Sequence, residues 1–265
     1  MISSKRICWL LAAVFILCSS FVLLAKDKKK PTLFFIGDST VKNGWGDGKG
    51  SMWGWGDLMH PFFDTTKISI ENHALGGTSS RTFLTKGLWD KVLAKVKKGD
   101  YVIMQFGHND SSPLDDTARA RGTIKGVGDT ATAIYNPITK QREIVHSYGW
   151  YLAKFVNDAK GKGATAIICS PIPRNDWKDG KLIRYNGTGY GLWSQQTAES
   201  TGAFFIDLNK LTADSYDAMG PEKVKPFFPN EHTHTSKEGA ELNAANVVKG
   251  IREIKKCKLR KYIRK

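Results

Sequence analysis

Five short apolar runs, at residues 32–36, 68–71, 101–106, 164–170 and 203–208, are the feature that most narrows the folds open to this chain. They are rich in β-branched and aromatic residues and lack the polar alternation of a half-exposed strand. That is the pattern of strands buried on both faces of a parallel sheet. Segments of helical length separate them, at 53–63, 87–97, 148–160, 192–200 and from about 237 onward. Strand and helix in strict alternation imply right-handed βαβ crossovers, hence a three-layer α/β/α sandwich around a five-stranded parallel sheet. A chain of 265 residues with 41% hydrophobic content can bury one such core, and no Pro- or Ser-rich stretch divides it. One domain is expected.

Net charge is +15, which invites a nucleic-acid reading until it is divided along the chain. Residues 249–265 carry nine Lys and Arg against Glu253, whereas 31–248 sum to only +2. The folded core is nearly neutral, so no nucleic-acid partner is expected. The basic tail at 249–265 reads as a helix continuing into solvent, with an anionic polymer or envelope surface as the alternative use of its charge.

At the other end, Lys5 and Arg6 precede an apolar stretch at 7–24, and Ala25 offers a small residue for cleavage. Residues 1–25 read as a signal peptide, leaving 26–265 as the mature, secreted or periplasmic chain. The alternative is a retained membrane anchor at 7–25, since Lys26, Lys28, Lys29 and Lys30 follow it like a stop signal. Only Cys169 and Cys257 lie beyond the leader, in settings too different to pair. Stability must come from core burial.

Polar clusters follow three of the five runs. They are Gly37-Asp-Ser-Thr40 after the first, Asn72 to Arg81 after the second, and Gly107-His-Asn-Asp110 after the third. Ligands of open α/β sheets bind at the carboxyl ends of the strands, so all three belong to one rim. A fourth cluster, Pro229 to Thr235, precedes the last helix, with Thr235 and Glu238 spaced as a capping box. Between Pro113 and His146 no helical period appears. Residues 133–135 and 143–145 around Asn136-Pro137 suggest a hairpin, and this long insertion should overhang the rim.

Ser39 leaves a buried strand on a tight turn, where a hydroxyl can attack a carbonyl if a base takes its proton. His234 is the candidate base and Glu231 the carboxylate to orient it. Two imidazoles at His232 and His234 are too few ligands for a zinc site, so neither metal nor cofactor is expected. Backbone N–H groups of Ser39 and Gly77, with the amide of Asn109, supply the donors an oxyanion needs.

The order Gly37-Asp38-Ser39, Gly77, Gly107-x-Asn109 and a carboxylate-x-x-His at 231–234 resembles the SGNH (GDSL-like) hydrolase superfamily. Within it, Gly77-Thr-Ser-Ser-Arg81, Gln105 to Asp110 and His232-Thr-His-Thr235 are similar to the rhamnogalacturonan acetylesterase family. The resemblance spans residues 32 to about 250. It implies a flavodoxin-like fold, Ser39 as nucleophile, His234 as base, the residue at 231 as its partner, and Ser39, Gly77 and Asn109 as the oxyanion hole. It further implies removal of O-acetyl groups from pectic polysaccharide through an acetyl-enzyme. The chain departs from that family in carrying Glu231 where Asp is usual and Thr78 where a larger basic residue is common.

Trp45 follows the nucleophile on a Gly-rich stretch and is the candidate sugar platform. Arg81, Arg119, Arg121 and Arg174 are candidate partners for uronate carboxylates. The expected partner is thus an acetylated polysaccharide. Alternatives are an esterase for acetylated xylan or another acyl ester, and a catalytically impaired carbohydrate-binding relative. No feature of the sequence sets an oligomeric state.

Overall fold

The computed structural model describes residues 30–265; the leader expected at 1–25, and its alternative as an anchor at 7–25, lie outside them. In chain order the strands are β1 (Thr32–Gly37), β2 (Ser69–Asn72) and β3 (Tyr101–Gln105), then a hairpin of β4 (Ala131–Asn136) and β5 (Gln141–His146). After these come β6 (Thr165–Cys169), a short pair of β7 (Trp177–Lys178) and β8 (Lys181–Leu182), and β9 (Phe204–Ile206). Strands β2, β1, β3, β6 and β9 form, in that spatial order, a wholly parallel sheet. Each of the five expected strands is present, with ends shifted by at most two residues, and the expected hairpin is β4 and β5.

Alternate side chains of β1 explain the layering. Leu33 and Phe35 enter a core with Trp55, Met59, Val247 and Ile251. Phe34 and Ile36 enter the opposite core with Phe83, Trp89 and Phe155. Each such buried side chain contributes about 1.5–3 kcal/mol relative to exposure. Helices Lys237–Glu253 and Leu208–Met219 lie on the first side, and helices Ser80–Thr85, Leu88–Leu93, Tyr148–Gly161 and Gly189–Thr201 on the second. Among the described residues no helix is long and apolar enough to cross a membrane. Pro31–Lys265 is one compact unit. Because β2 lies to one side of β1 and β3 to the other, the topology reverses between β1 and β3. In open sheets of this kind the ligand site lies there, beyond the carboxyl ends of the two strands.

Three expectations are corrected. Residues 53–63 form no α-helix but two 3₁₀ turns, Trp55–Leu58 and His60–Phe62. The N–H groups of Trp55 and Gly56 donate to the carbonyls of Thr40 and Val41, both at 3.0 Å. The chain there presses so close to the nucleophile turn that a Cβ on Gly54 would lie 2.3 Å from the Lys42 nitrogen. The last helix is capped by Ser236, whose hydroxyl accepts from the Gly239 N–H, and not by Thr235. Thr235 instead donates its hydroxyl to the Trp53 carbonyl at 3.0 Å and accepts the Trp53 N–H at 2.9 Å.

The basic tail does not run into solvent either. The helix stops at Glu253, and Cys257 and Leu259 turn inward, both essentially fully buried. Ile263 then bridges to Phe63. The apolar residues interleaved with the lysines drive this return, which the charge pattern alone concealed.

Candidate active site

The turn after β1 is held by Asp38, a fully buried carboxylate that accepts the Thr40 N–H at 2.9 Å and the Thr40 hydroxyl at 2.7 Å. Val41 and Lys42 donate their N–H groups back to the Asp38 carbonyl. Burial pulls the Asp38 carboxyl upward, but the facing His108 imidazole and the Thr40 donors outweigh it and hold the group below its ordinary value. The His108 Nδ1 sits 3.5 Å from Asp38, an electrostatic contact, while its Nε2 lies 3.1 Å from the Ile172 carbonyl. Ser39 is thus presented, half-buried, on a turn whose neighbours are fixed.

From the other end of the chain, the 229–235 loop brings His234 to this turn. Its anchors are the Trp53–Thr235 bridge and an Asn230 amide donating to the Gly50 carbonyl. His234 Nε2 accepts from the Ser39 hydroxyl at 2.8 Å, across 195 positions of sequence. On the far side of the ring, Nδ1 donates to Glu231 Oε1 at 2.8 Å. Glu231 also accepts the backbone N–H groups of Thr233 and His234. Burial pulls Glu231 upward, yet these donors and the imidazole leave it below the usual carboxylate value, so it stays ionised at neutral pH. The Glu231 carboxylate thus folds back over its own loop and still reaches the imidazole. The imidazoles of His232 and His234 diverge, for His232 pairs with Asp176 at 2.8 Å. Among the described residues no cluster of His, Cys, Asp or Glu could hold a metal ion.

The second strand end contributes Gly76 and Gly77. A Cβ on Gly76 would lie 3.7 Å from Ser39 Cβ, so this turn lies against the nucleophile. Gly77 has φ +78°, a left-handed conformation that favours glycine. The third strand end contributes Asn109, whose Nδ2 donates to the Thr78 carbonyl at 2.8 Å. An amide nitrogen carries two hydrogens, so the second remains for a ligand. Asp110 ties the two strand ends together. It is fully buried and accepts the Ser80 N–H and the Gly107 N–H at 3.0 Å each, together with the Ser80 hydroxyl. Burial pushes its carboxyl up to about 7 against these donors. The bracing role of Asp110, and those of His108 and Asp176, escaped sequence reasoning, because their partners lie far along the chain.

Of the expected substrate contacts, Trp45 is 83% exposed. Arg119 and Arg121 descend from the insertion after β3. A Cβ on Gly77 would lie 2.8 Å from Arg119 Nη1, and Arg121 Nη1 donates to the Gly77 carbonyl at 3.3 Å. Arg174 lines a cleft of about 270 Å³ beside His108, with Tyr185, Tyr190 and Ile172. Among the described residues none of these three guanidinium groups is paired with a carboxylate. Arg81 is the exception and a correction. It is fully buried and gripped by Glu143 through two hydrogen bonds of 2.7 Å, with further bonds to the carbonyls of Leu114 and Gly122. It braces the insertion and is not placed to meet a substrate.

This constellation carries the groups that ester hydrolysis through a serine requires. The family model described as "GDSL-like Lipase/Acylhydrolase family" matches residues 35–242. A rhamnogalacturonan acetylesterase of Emericella nidulans is 31% identical over 221 residues, which is 83% of this chain and 84% of the relative. Rhamnogalacturonan acetylesterase RhgT of Bacillus subtilis is 29% identical over 241 residues, covering 86% and 92% respectively. Among solved structures, protein YXIM_BACsu from Bacillus subtilis superposes with a TM-score of 0.68 at 23% identity, over 85% of this chain and 57% of that one. A variant of Axe2, an acetyl xylan esterase from Geobacillus stearothermophilus, gives 0.53 at 17% identity over 83% and 94%. At those identities the structural likenesses speak to the shared α/β fold. With the family pattern running through most of its length, the chain belongs to the GDSL-like lipase/acylhydrolase family and is a serine ester hydrolase.

Proposed function

We propose that this chain is an exported carbohydrate esterase that removes O-acetyl groups from a pectic polysaccharide of the rhamnogalacturonan type, through an acetyl-enzyme on Ser39. The observation that carries the reading is the hydrogen-bonded series Ser39, His234, Glu231, with 2.8 Å at both links. In the proposed reaction Ser39 Oγ attacks the acetyl carbonyl while His234 Nε2 takes its proton, and ionised Glu231 balances the imidazolium. The developing oxyanion is held by the N–H groups of Ser39 and Gly77 and the second N–H of Asn109. Collapse expels the sugar alkoxide, which takes the proton from His234. Water activated by the same imidazole then releases acetate. No metal or cofactor enters these steps.

The pectic substrate is supported by two relatives named as rhamnogalacturonan acetylesterases. Arg119 and Arg121 beside Gly77, and Arg174 beside His108, have no carboxylate partner among the described residues, and an acidic polysaccharide brings the carboxylates they lack. Trp45 offers an exposed indole face for a sugar ring. Export rests on Lys5, Arg6 and the apolar stretch before Ala25.

The test measures acetate release from acetylated rhamnogalacturonan, acetylated xylan and p-nitrophenyl acetate, for wild type and Ser39→Ala. Wild type is expected to favour the pectic substrate in kcat/KM, and the variant to be inactive on all three. Preference for xylan would remove the substrate assignment, and equal rates in both proteins would remove Ser39. No hydrolysis of any ester by wild type would favour the binding relative. Export predicts that protein recovered outside the cell begins near residue 26 on N-terminal sequencing, whereas retention of Met1 contradicts it.

A further inference from the structure

The basic tail has no part in the chemistry above, yet it is fixed firmly to the fold. Cys257 and Leu259 are buried in the first core, and Tyr262 and Ile263 pack against it. The Asp64 N–H donates to the Tyr262 carbonyl at 2.8 Å, and Arg264 donates through its backbone N–H to Phe62 and through Nε to Phe63. With those residues turned inward, Lys255, Lys256, Lys258, Lys261 and Lys265 are left exposed on one short stretch. Among the described residues none of the five is paired with a carboxylate, and Glu253 is the one acid in residues 249–265. The three arginines Arg252, Arg260 and Arg264 are instead committed to backbone carbonyls. Lys261 lies over the Tyr262 ring, 4.9 Å from its centroid, and an external anion is the charged partner open to the cluster.

The position of the patch says which anion. Tyr262 packs edge-on against Tyr101, with ring centroids 6.1 Å apart, and Tyr101 opens β3. Ser39 follows β1 at the opposite end, where Gly37 pairs with Gln105, the last residue of β3. The lysines therefore lie at the end of the sheet away from the nucleophile, separated by roughly 13 Å of β3 alone. The patch is thus set apart from the rim that carries Ser39. Lys258 and Lys261 stand on the 3₁₀ turn Lys258–Tyr262, with Lys255, Lys256 and Lys265 exposed on either side of it, all as compact ammonium charges without the guanidinium fork that selects a single carboxylate.

We propose that the lysine face at 255–265 docks the enzyme onto a bilayer surface of anionic phospholipid, leaving the catalytic rim turned outward. Diffuse attraction of clustered lysines to an anionic headgroup layer needs no groove and no base-paired geometry, and it is screened by salt. This inference does not depend on which ester the site hydrolyses.

The test uses the exported protein, beginning near residue 26, and a variant of it with Lys255, Lys256, Lys258 and Lys261 each changed to Gln. Co-sedimentation is measured with vesicles of phosphatidylglycerol and phosphatidylcholine, with pure phosphatidylcholine vesicles, and with polygalacturonate as a soluble polyanion. Hydrolysis of p-nitrophenyl acetate reports that both proteins are folded. The proposal expects wild type to partition onto the anionic vesicles, with loss of at least tenfold in the variant and in high salt. Equal partitioning of the two proteins overturns it, as does wild-type binding that is the same on neutral vesicles. Retention by polygalacturonate but not by anionic vesicles would assign the face to an acidic polymer and likewise overturn it.

Discussion

Replacing Arg81 with Leu tests how the insertion over the active site is held. The guanidinium is 0% exposed and makes two bonds of 2.7 Å to Glu143, which is itself 15% exposed, plus bonds of 2.7 and 2.9 Å to the carbonyls of Leu114 and Gly122. Arg81→Leu leaves Glu143 with the Asn136 amide as its remaining side-chain donor and strands two carbonyls. Breaking a buried ion pair from one side costs about 3–5 kcal/mol, a large share of a total stability of about 5–15 kcal/mol. For a chain of this size that lowers Tm by roughly 6–20 °C, read by differential scanning calorimetry or circular dichroism. The double variant Arg81→Leu/Glu143→Leu should recover a substantial part, because removing both charges leaves no buried ion without a partner. The same ion pair sets a pH dependence. Burial raises the Glu143 carboxyl, but Arg81 and Asn136 together hold it below its ordinary value. Its stabilisation is therefore present above the unfolded value of about 4.3 and is lost as pH falls through the lower folded value. A single variant melting within about 2 °C of wild type, or a double variant no better than the single, would refute the reasoning.

Three further outcomes follow from the site. Asn109→Ala removes one oxyanion donor and should lower kcat on p-nitrophenyl acetate by about 10²–10³ with little change in KM, and an unchanged kcat would exclude Asn109 from the hole. Glu231→Gln should lower kcat by about 10²–10⁴ while Glu231→Asp retains most of it, a comparison that shows whether the carboxylate or its reach matters. Burial raises Asp110 to about 7, above an unfolded value of about 3.9, so its contribution is complete below that value and is lost as pH rises through 7. Denaturant unfolding at pH 5 and pH 8 should therefore show a loss of stability that Asp110→Asn diminishes; the same loss in the variant would point to another group.

The strands were legible because a parallel sheet buries both faces, so runs such as Leu33 to Ile36 read as apolar without alternation. The site was legible because its polar clusters follow strand ends directly, and topology does the rest. Helix Ser80–Thr85 was missed because Ser79-Ser-Arg-Thr82 reads as a loop; its stability comes from a capping box and from Asp110, thirty positions away. Arg81 was misread for the same reason, since Glu143 lies 62 residues on. The segment at 53–63 has the apolar content of a helix, but Gly54 and Gly56 are there for close approach to Val41 and Lys42, a tertiary demand invisible to local pattern. In the tail, charge masked the inward residues Cys257 and Leu259.

The central claim is that Ser39 is the hydroxyl which His234 activates. Its most direct measurement is labelling of the intact enzyme with a fluorophosphonate, followed by peptide mapping by mass spectrometry, in wild type and His234→Ala. The account predicts a single adduct on Ser39 in wild type and labelling slowed by orders of magnitude in the variant. A label on another residue of an enzyme that releases acetate, or an equal labelling rate without the imidazole, would contradict it.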